Sequence, residues 1–374
     1  MDEVRFAFLG AGMMAKAHSL ALATLPIYAW PPPAMPVRQV IAGSSPERGD
    51  EAATRFGFAR SASDWRSAVE DPQVDAVAVL LPNALHGDAV LAAAAAGKHV
   101  LCEKPIASSS AEAREMVAAV ERAGIVNQTA FNWRLAPAVL LARRLLDDGT
   151  IGAVRDFRGY WMSDFGTDPA GPLGFRFDTS GRGALSDLGS HVIDYARFLV
   201  GEIAEVAAVD RTYIHARPLL GGDGTGPVEV ADAAMALVQF EGGAYGSFHA
   251  SWASPGRKTF AGFEIHGDDG ALSFTWERMS EIRVYDRRDA ADRQGYRTVM
   301  PAVPHPYGEL FWLLGGYQIG FAETKVIQMH QLLAAIAGGP PVMTDLRDGL
   351  RNLLVEEAID RAARTRAWTA VEPV

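Results

Sequence analysis

One cysteine, Cys102, is all the thiol this 374-residue chain carries. That excludes internal disulfides and any zinc site built from several cysteines. Cys102 ends a short apolar run, so a buried, inert thiol is expected. Positive charge is also scarce: 35 lysines and arginines face 45 acids, for a net charge of −10. This balance argues against nucleic acid as a partner and against an anionic membrane surface. Only five of the basic residues are lysines, so a lysine at a strand end is not background composition. No apolar run is long enough to span a bilayer, since the alanine-rich stretch near position 90 is interrupted by Asp88 and Gly97. The chain opens on Asp2 and Glu3 ahead of a strand-like run, so no membrane association and a cytoplasmic location are expected. What is present is ordinary: 49% hydrophobic and 21% charged residues, which at this length suit a soluble protein with two cores.

The first 130 residues alternate short β-branched runs with Ala-, Glu- and Arg-rich segments, as a parallel sheet with crossover helices requires. Strands are expected at Val4–Leu9, Val37–Ala42, Val74–Leu81, His99–Cys102 and Ile125–Ala130, with helices at Met14–Thr24, Pro46–Phe56, Leu85–Ala96 and Ser108–Ala123. Ser108 or Ser109 is placed to cap the last of these with Glu112. Leu25 to Pro36 contains three consecutive prolines and is expected to be a stiff, extended insert. After Asn132 the pattern changes to a helix at Pro137–Asp147, a strand at Val154–Met162, a helical segment at Leu185–Leu199 and several alternating strands between Val206 and Val284. Two helices close the chain, near Thr324–Ala337 and Arg347–Arg364. The expected fold class is α/β: a dinucleotide-binding doubly wound domain over residues 1–131, then an α/β domain over 132–374 with a large, mainly antiparallel open sheet. Such an open face invites burial against another subunit, so a homodimer or homotetramer is expected.

Gly10-Ala-Gly12-Met-Met-Ala15 follows the first strand and opens the first helix. In a G-x-G-x-x-A motif the glycines allow a tight turn and close approach of a pyrophosphate, while the helix start, here Met13 and Met14, supplies oriented N–H donors. A carboxylate at the tip of the second strand would select NAD over NADP. The chain instead reads Gly43-Ser44-Ser45-Pro-Glu47-Arg48, where serine hydroxyls and Arg48 suit a phosphate but Glu47 lies beside them. NAD or NADP is therefore expected as cofactor, with the choice open.

Glu103-Lys104-Pro105 ends the strand at His99–Cys102, and the proline forbids a continued central strand. Lys104 is thereby expected at the C-terminal edge of the sheet, where ligands bind in open α/β folds. Farther on, Gly181 to Asp194 reads GRGALSDLGSHVID. Asp187, His191 and Asp194 stand at i, i+4 and i+7, one face of an α-helix. A histidine suits proton transfer at neutral pH, an aspartate one turn away can orient it, and a nearby lysine stabilises developing alkoxide charge. No further ligand cluster accompanies these residues, so no metal is expected.

Taken in order, Gly10-x-Gly12, Pro82-Asn83-x-x-His86, Glu103-Lys104-Pro105, Asn132-Trp133-Arg134 and Asp187-x-Gly-x-His191 resemble the Gfo/Idh/MocA family of NAD(P)-dependent oxidoreductases. The resemblance implies Lys104 beside the nicotinamide, Asp187 and His191 as the catalytic pair, and Leu81, Pro82, Asn83, His86, Glu103 and Asn132 along the cofactor cleft. Less generic stretches, among them Ala17-His18-Ser19, His305-Pro-Tyr307 and Glu323-Thr-Lys325, resemble the levoglucosan dehydrogenase-like subgroup, which implies a carbohydrate as the small-molecule substrate. Trp133, Arg134, Asp164, Arg176, Tyr307 and Lys325 are the candidate sugar contacts, because polyol sites combine polar groups with flanking aromatics. The implied reaction is oxidation of a secondary hydroxyl of a sugar, anhydro sugar, glycoside or cyclitol. Redox-assisted glycoside cleavage and a catalytically silent regulator are the alternatives.

Overall fold

The computed structural model describes residues 2–177, 182–311 and 314–374. The chain divides into two compact units, one formed by Met1–Leu135 with Ile319–Arg351, the other by Ala136–Gln318 with Asn352–Val374.

The first unit begins with β1 (Glu3–Leu9), α1 (Met13–Tyr28), β2 (Met35–Ala42), α2 (Pro46–Phe56), β3 (Arg60–Ala62) and α3 (Trp65–Glu70). It continues through β4 (Ala76–Val79), α4 (His86–Ala95), β5 (His99–Cys102), α5 (Ser110–Ala123) and β6 (Asn127–Thr129). The six strands form one sheet in the order β3-β2-β1-β4-β5-β6, every pair parallel. A parallel sheet is covered on both faces, which is why Phe6, Phe8, Val77, Val79, Val100 and Leu101 are all buried irrespective of the face they point to. The order reverses between β1 and β4, and the crevice at such a switch point is where dinucleotides bind.

Local signals fix the helix ends. Ser45 caps α2, Pro46 follows at the first helical position, and Gly57 closes it with a left-handed φ of 70°. At α5, Ser109 Oγ accepts the Glu112 N–H (3.3 Å), while the Glu112 carboxylate accepts the Ser108 N–H (2.9 Å). The stiff insert expected from Leu25 begins later than the prolines suggest. Helix α1 runs on through Pro26 to Tyr28, because Leu25 and Ala29 are buried and the proline falls in the last turn, where little of the hydrogen-bond ladder is lost.

The second unit contains α6 (Pro137–Asp147), β7 (Val154–Met162), a π-helical turn at Leu185–Gly189, α7 (Ser190–Leu199) and β8 (Ile203–Arg211). A two-stranded ribbon, β9 (Ala216–Pro218) and β10 (Thr225–Pro227), is followed by β11 (Ala233–Phe240), β12 (Tyr245–Ser251), β13 (Phe260–Gly267), β14 (Gly270–Thr275), β15 (Ile282–Asp286) and β16 (Arg297–Val299). Helices α8 (Phe321–Ile336) and α9 (Leu346–Thr365) and strand β17 (Thr369–Ala370) complete the chain. The large sheet has nine strands in the order β16-β15-β14-β13-β7-β12-β11-β8-β17. Only β7 and β12 pair in parallel, so the sheet is mainly antiparallel. Its strands alternate in burial, most clearly in β11, where Ala236, Val238 and Phe240 are buried and Met235 and Leu237 are exposed. That period of two marks a sheet packed on one face only. Helix α8 belongs to the first unit, where it packs against α1. The boundary between units falls within α9.

Candidate functional site

Gly10 turns the chain out of β1 with φ at +115°, and an ideal Cβ there would lie 2.5 Å from the Leu80 carbonyl oxygen. Only glycine fits both demands. Gly12 caps α1 without a side-chain hydrogen bond, no acid occupies the first turn, and a Cβ on Gly12 would meet nothing within 4 Å. The N–H groups at Met13 and Met14 therefore open onto free space at a helix N-terminus, which suits an anion such as a pyrophosphate. The turn from Gly10 to Met14 thus has the free space and the helix N-terminus that the pyrophosphate of a dinucleotide requires.

At the tip of β2 the two serines do different work. Ser45 Oγ caps α2 by accepting the Arg48 N–H (3.4 Å), and its hydrogen bond to Glu47 holds that acid below the usual carboxylate range. Ser44 is left beside the Arg48 guanidinium, 3.4 Å from Oγ to Nη1. A hydroxyl and a guanidinium thus face the position where NAD selectivity normally uses a carboxylate.

His86, expected along the cofactor cleft, is fully buried. Its Nε2 lies 2.8 Å from the Leu81 carbonyl and its Nδ1 3.0 Å from the Pro105 carbonyl. The ring therefore staples the Leu81-Pro82-Asn83 turn to the turn carrying Lys104, and has no face left for a ligand. Burial lowers its pKa, with the two carbonyls opposing. Cys102, just before this turn, is buried, and burial pushes its thiol well up, so it is inert as the sequence suggests.

Below Lys104 lies a buried charge cluster. Glu103 Oε1 is 2.7 Å from His18 Nε2 and accepts a hydrogen bond from Lys325 Nζ at 3.0 Å; Oε2 is 3.3 Å from the Lys104 backbone N–H. Side-chain exposure is 0% for His18, 9% for Glu103 and 1% for Lys325, which rules out solvent as their partner. Burial opposes ionisation of Glu103, but Lys325 and His18 outweigh it and hold the carboxyl far below its usual range. Burial, helped by Lys325 and opposed by Glu103, lowers His18 to about 4. Burial also lowers Lys325, against the pull of Glu103.

Several of the candidate sugar contacts are buried among protein partners. Lys325 donates to Glu103 and is closed to solvent. Arg134 is buried; it donates to the Met343 carbonyl (3.1 Å) and pairs with Asp348 (2.8 Å), so its guanidinium stitches the chain at Asn132–Leu135 to the segment before α9. Trp133 is 5% exposed and packs in the core. Asn132 is buried with its amide on Thr324 Oγ1 (2.7 Å), an anchor for α8.

In the second unit the stretch from Gly181 to Asp194 does not form the continuous α-helix that its spacing suggests. Gly181, which opens it, lies outside the described residues. Leu185–Gly189 is a π-helical turn in which the Ser190 N–H reaches back to the Leu185 carbonyl. The wider turn inserts an extra residue, so the α-helical face expected for Asp187, His191 and Asp194 does not extend through it; π turns of this kind recur at functional sites. His191 and Asp194 lie within α7 and are buried, whereas Asp187 is part-exposed. Asp187 Oδ2 accepts Arg176 Nε (2.8 Å), and that guanidinium lies 4.6 Å from the centre of the Phe175 ring and 5.8 Å from that of Phe165. Both phenylalanines are about half exposed or more, giving apolar faces beside a charged pair. His191 packs 5.1 Å from the Trp161 ring. Asp164 pairs with the exposed Lys258 (2.7 Å), whose hydrogen bond and charge lower its pKa. Tyr307 is half-buried at a left-handed φ of 58° ahead of a short helical turn.

Sequence reasoning missed the partners of His18, Trp161 beside His191, and Lys258 on Asp164. Only His18 had a local signal: about one and a half turns into α1, its ring lies 6.3 Å from that of Phe8 on β1. Among the described residues, no group of three or more His, Cys, Asp or Glu is arranged to hold a metal. No helix among them is long and apolar enough to cross a membrane.

Comparison with known proteins agrees with this organisation. Residues 4–131 match the family "Oxidoreductase family, NAD-binding Rossmann fold", and residues 139–273 match the "GFO/IDH/MocA C-terminal domain". Levoglucosan dehydrogenase of Pseudarthrobacter phenanthrenivorans is 44% identical, with 100% of both chains covered. The scyllo-inositol 2-dehydrogenase (NAD(+)) of Bacillus subtilis is 27% identical, over 97% of this chain and 94% of its own. Among solved structures, levoglucosan dehydrogenase in complex with NADH and levoglucosan superposes with a TM-score of 0.97 at 44% identity, again over 100% of both chains. The two family matches in order, with a full-length relative at this identity, show that the chain belongs to the Gfo/Idh/MocA family of oxidoreductases.

Proposed function

We propose that this protein is a nicotinamide-dependent dehydrogenase that oxidises a secondary hydroxyl of a sugar, anhydro sugar, glycoside or cyclitol, with an anhydro sugar of the levoglucosan type as the first candidate. The observation that carries the reading is Lys104. It stands two residues past the end of β5, at the C-terminal edge of the same sheet whose first strand leads into the Gly10–Met14 turn. A bound nicotinamide would supply the hydride acceptor. Lys104 is assigned to the substrate oxygen, where its ammonium offsets developing alkoxide charge. His191 is assigned as the base that takes the hydroxyl proton, and Asp187, held by Arg176, as the group that orients substrate. Phe165 and Phe175 offer apolar faces of the kind sugar rings stack on.

The test is nicotinamide absorbance in the near-ultraviolet, with NAD and NADP offered separately against levoglucosan, inositols, free hexoses and glycosides. Reduction of one cofactor by one sugar class is the expected result. A released aglycone without net reduction would instead point to redox-assisted cleavage, and cofactor binding without turnover on any sugar would point to a regulator.

The exposed apolar side chains of the nine-stranded sheet support a second copy of the chain as partner. Met235 is in register with Val209 on β8, and Leu237 and Tyr245 lie nearby on β11 and β12, all more than half exposed. A homodimer or homotetramer burying this face is expected in solution, and sedimentation of a Leu237→Glu variant as a smaller species is the check.

A further inference from the structure

We infer that His18 and Lys325 are positioning residues for Lys104, acting through the Glu103 carboxylate that both of them grip. This rests on the dehydrogenase reading of Lys104 given above. Glu103 immediately precedes Lys104, and its two oxygens are divided between two tasks. Oε1 receives His18 Nε2 at 2.7 Å and Lys325 Nζ at 3.0 Å, whereas Oε2 faces the Lys104 backbone N–H at 3.3 Å. The carboxylate is therefore clamped on one side and orders the Lys104 turn on the other. The clamp comes from two helices distant in sequence, His18 from α1 and Lys325 from α8, which pack together in the same unit.

The chemistry of the three groups makes the arrangement specific. Neutral His18, ionised Glu103 and protonated Lys325 sum to no net charge, so a fully buried cluster carries no surplus to solvate. A neutral His18 with its proton on Nε2 has one task, donation to Glu103. Its Nδ1 is buried without a hydrogen-bond partner. Removing Lys325 takes away one of the two groups that grip Glu103 Oε1. A plain structural ion pair has no reason to sit at the residue next to the reacting lysine and to hydrogen-bond that lysine's own amide.

The experiment compares the Lys325→Met single variant with the Lys325→Met/Glu103→Gln double variant in the full-length protein. The single variant leaves a buried carboxylate without its cationic partner and serves as the stability control. The double variant removes both charges together, so its thermal midpoint returns toward that of the wild type. Positioning predicts that kcat nevertheless stays about 10- to 100-fold down in the double variant, with KM for NAD and for the sugar within about threefold. Recovery of kcat along with the midpoint overturns the proposal, and so does a raised KM for the sugar at unchanged kcat, which would make Lys325 a substrate ligand. A second readout needs no substrate. The chain has five lysines, Lys16, Lys98, Lys104, Lys258 and Lys325, so reductive methylation followed by peptide mass spectrometry resolves each one. The Lys104 rate is expected to change at least about threefold in the double variant while Lys16 and Lys258 keep theirs; an unchanged Lys104 rate overturns the proposal. If the wild-type protein turns over no sugar, the dehydrogenase reading fails while the labelling still decides whether the cluster positions Lys104.

Discussion

Gly10 and Gly12 stand two residues apart in one motif, yet the structure assigns them different physical duties, and alanine substitution separates the two. At Gly10 the backbone has φ at +115°, and a Cβ would lie 2.5 Å from the Leu80 carbonyl oxygen and 3.0 Å from its carbon. Holding alanine at that dihedral costs about 1–3 kcal/mol, and pushing the Leu80 carbonyl aside adds roughly another 1–3 kcal/mol. For a domain of this size each kcal/mol moves the thermal midpoint by roughly 2–4 °C. Gly10→Ala is therefore expected to melt about 4–24 °C below the wild type. Gly12 has φ at −85° and open space around its Cβ position. Gly12→Ala should melt within about 2 °C of the wild type, because nothing in the protein meets the new methyl group. That methyl group would instead occupy the space in which a pyrophosphate approaches the N-terminus of α1, costing at least about 1.4 kcal/mol, or tenfold in NADH affinity. The assays are differential scanning fluorimetry and NADH titration by fluorescence. A Gly12→Ala protein that binds NADH like the wild type would refute the placement of the pyrophosphate, and a Gly10→Ala protein with the wild-type midpoint would refute the steric argument.

Other expectations follow from the same geometry. Lys104→Met and His191→Asn should each lower kcat by about 10²- to 10⁴-fold while NADH affinity stays within about threefold, measured by steady-state kinetics beside titration. Ser44→Asp places a carboxylate where Arg48 and a hydroxyl now face the cofactor's adenosine end, and should weaken NADP binding at least about tenfold while sparing NAD. For pH, the unfolded chain protonates His18 near 6.5 while the folded chain resists until about 4, so the unfolded state binds more protons in between. Folding stability is then fully present above pH 6.5 and falls as pH drops toward 4. Between pH 7 and 5 this one fully buried group accounts for roughly 2 kcal/mol. The difference in urea-derived unfolding free energy between those two pH values should shrink by about that much in His18→Gln, and an unaltered difference would show that His18 is not the group being protonated.

How much was legible depends on whether the determining interactions are local. The parallel sheet was readable because its central strands are buried on both faces and two of its helices carry clear caps: Ser45 with Pro46, and Ser109 with Glu112. The mainly antiparallel sheet was readable because one face is exposed, so β11 alternates. Gly10 could be read because a φ of +115° beside the Leu80 carbonyl leaves only glycine there, and Gly12 because it stands at the strand-to-helix turn of the motif. The buried pairings of Arg134 and Lys325 were not legible for the opposite reason: their partners, Asp348 and Met343 for Arg134 and Glu103 for Lys325, lie more than 200 residues away in sequence. A polar residue whose buried partner is that distant looks the same in sequence as one waiting for a ligand.

The same limit explains the motif around His191. Residue spacing predicts a face only if the helix keeps its period, and nothing in LSDLGSHVID announces that Leu185–Gly189 winds as a π turn. The period is set by what the turn must satisfy on either side. Leu188 and Ala184 pack in one core cluster with Val228, Val230, Ala250 and Trp252. Asp187 must remain part-exposed to meet Arg176. An α-helical turn advances by 3.6 residues and fixes the angle between Leu188 and Asp187; one added residue changes that angle without breaking the hydrogen-bonded column. Deleting a single residue within the turn, Ser186 for example, should therefore restore α-helical winding at the cost of one of these two demands. Because the apolar cluster is buried and the Asp187 pair is part-exposed, the pair is expected to give way. Turnover should then fall about tenfold or more, while the thermal midpoint drops by only a few degrees. Loss of folding in the deletion variant, with no active soluble protein, would show instead that the π turn serves the core and that the position of Asp187 is its by-product.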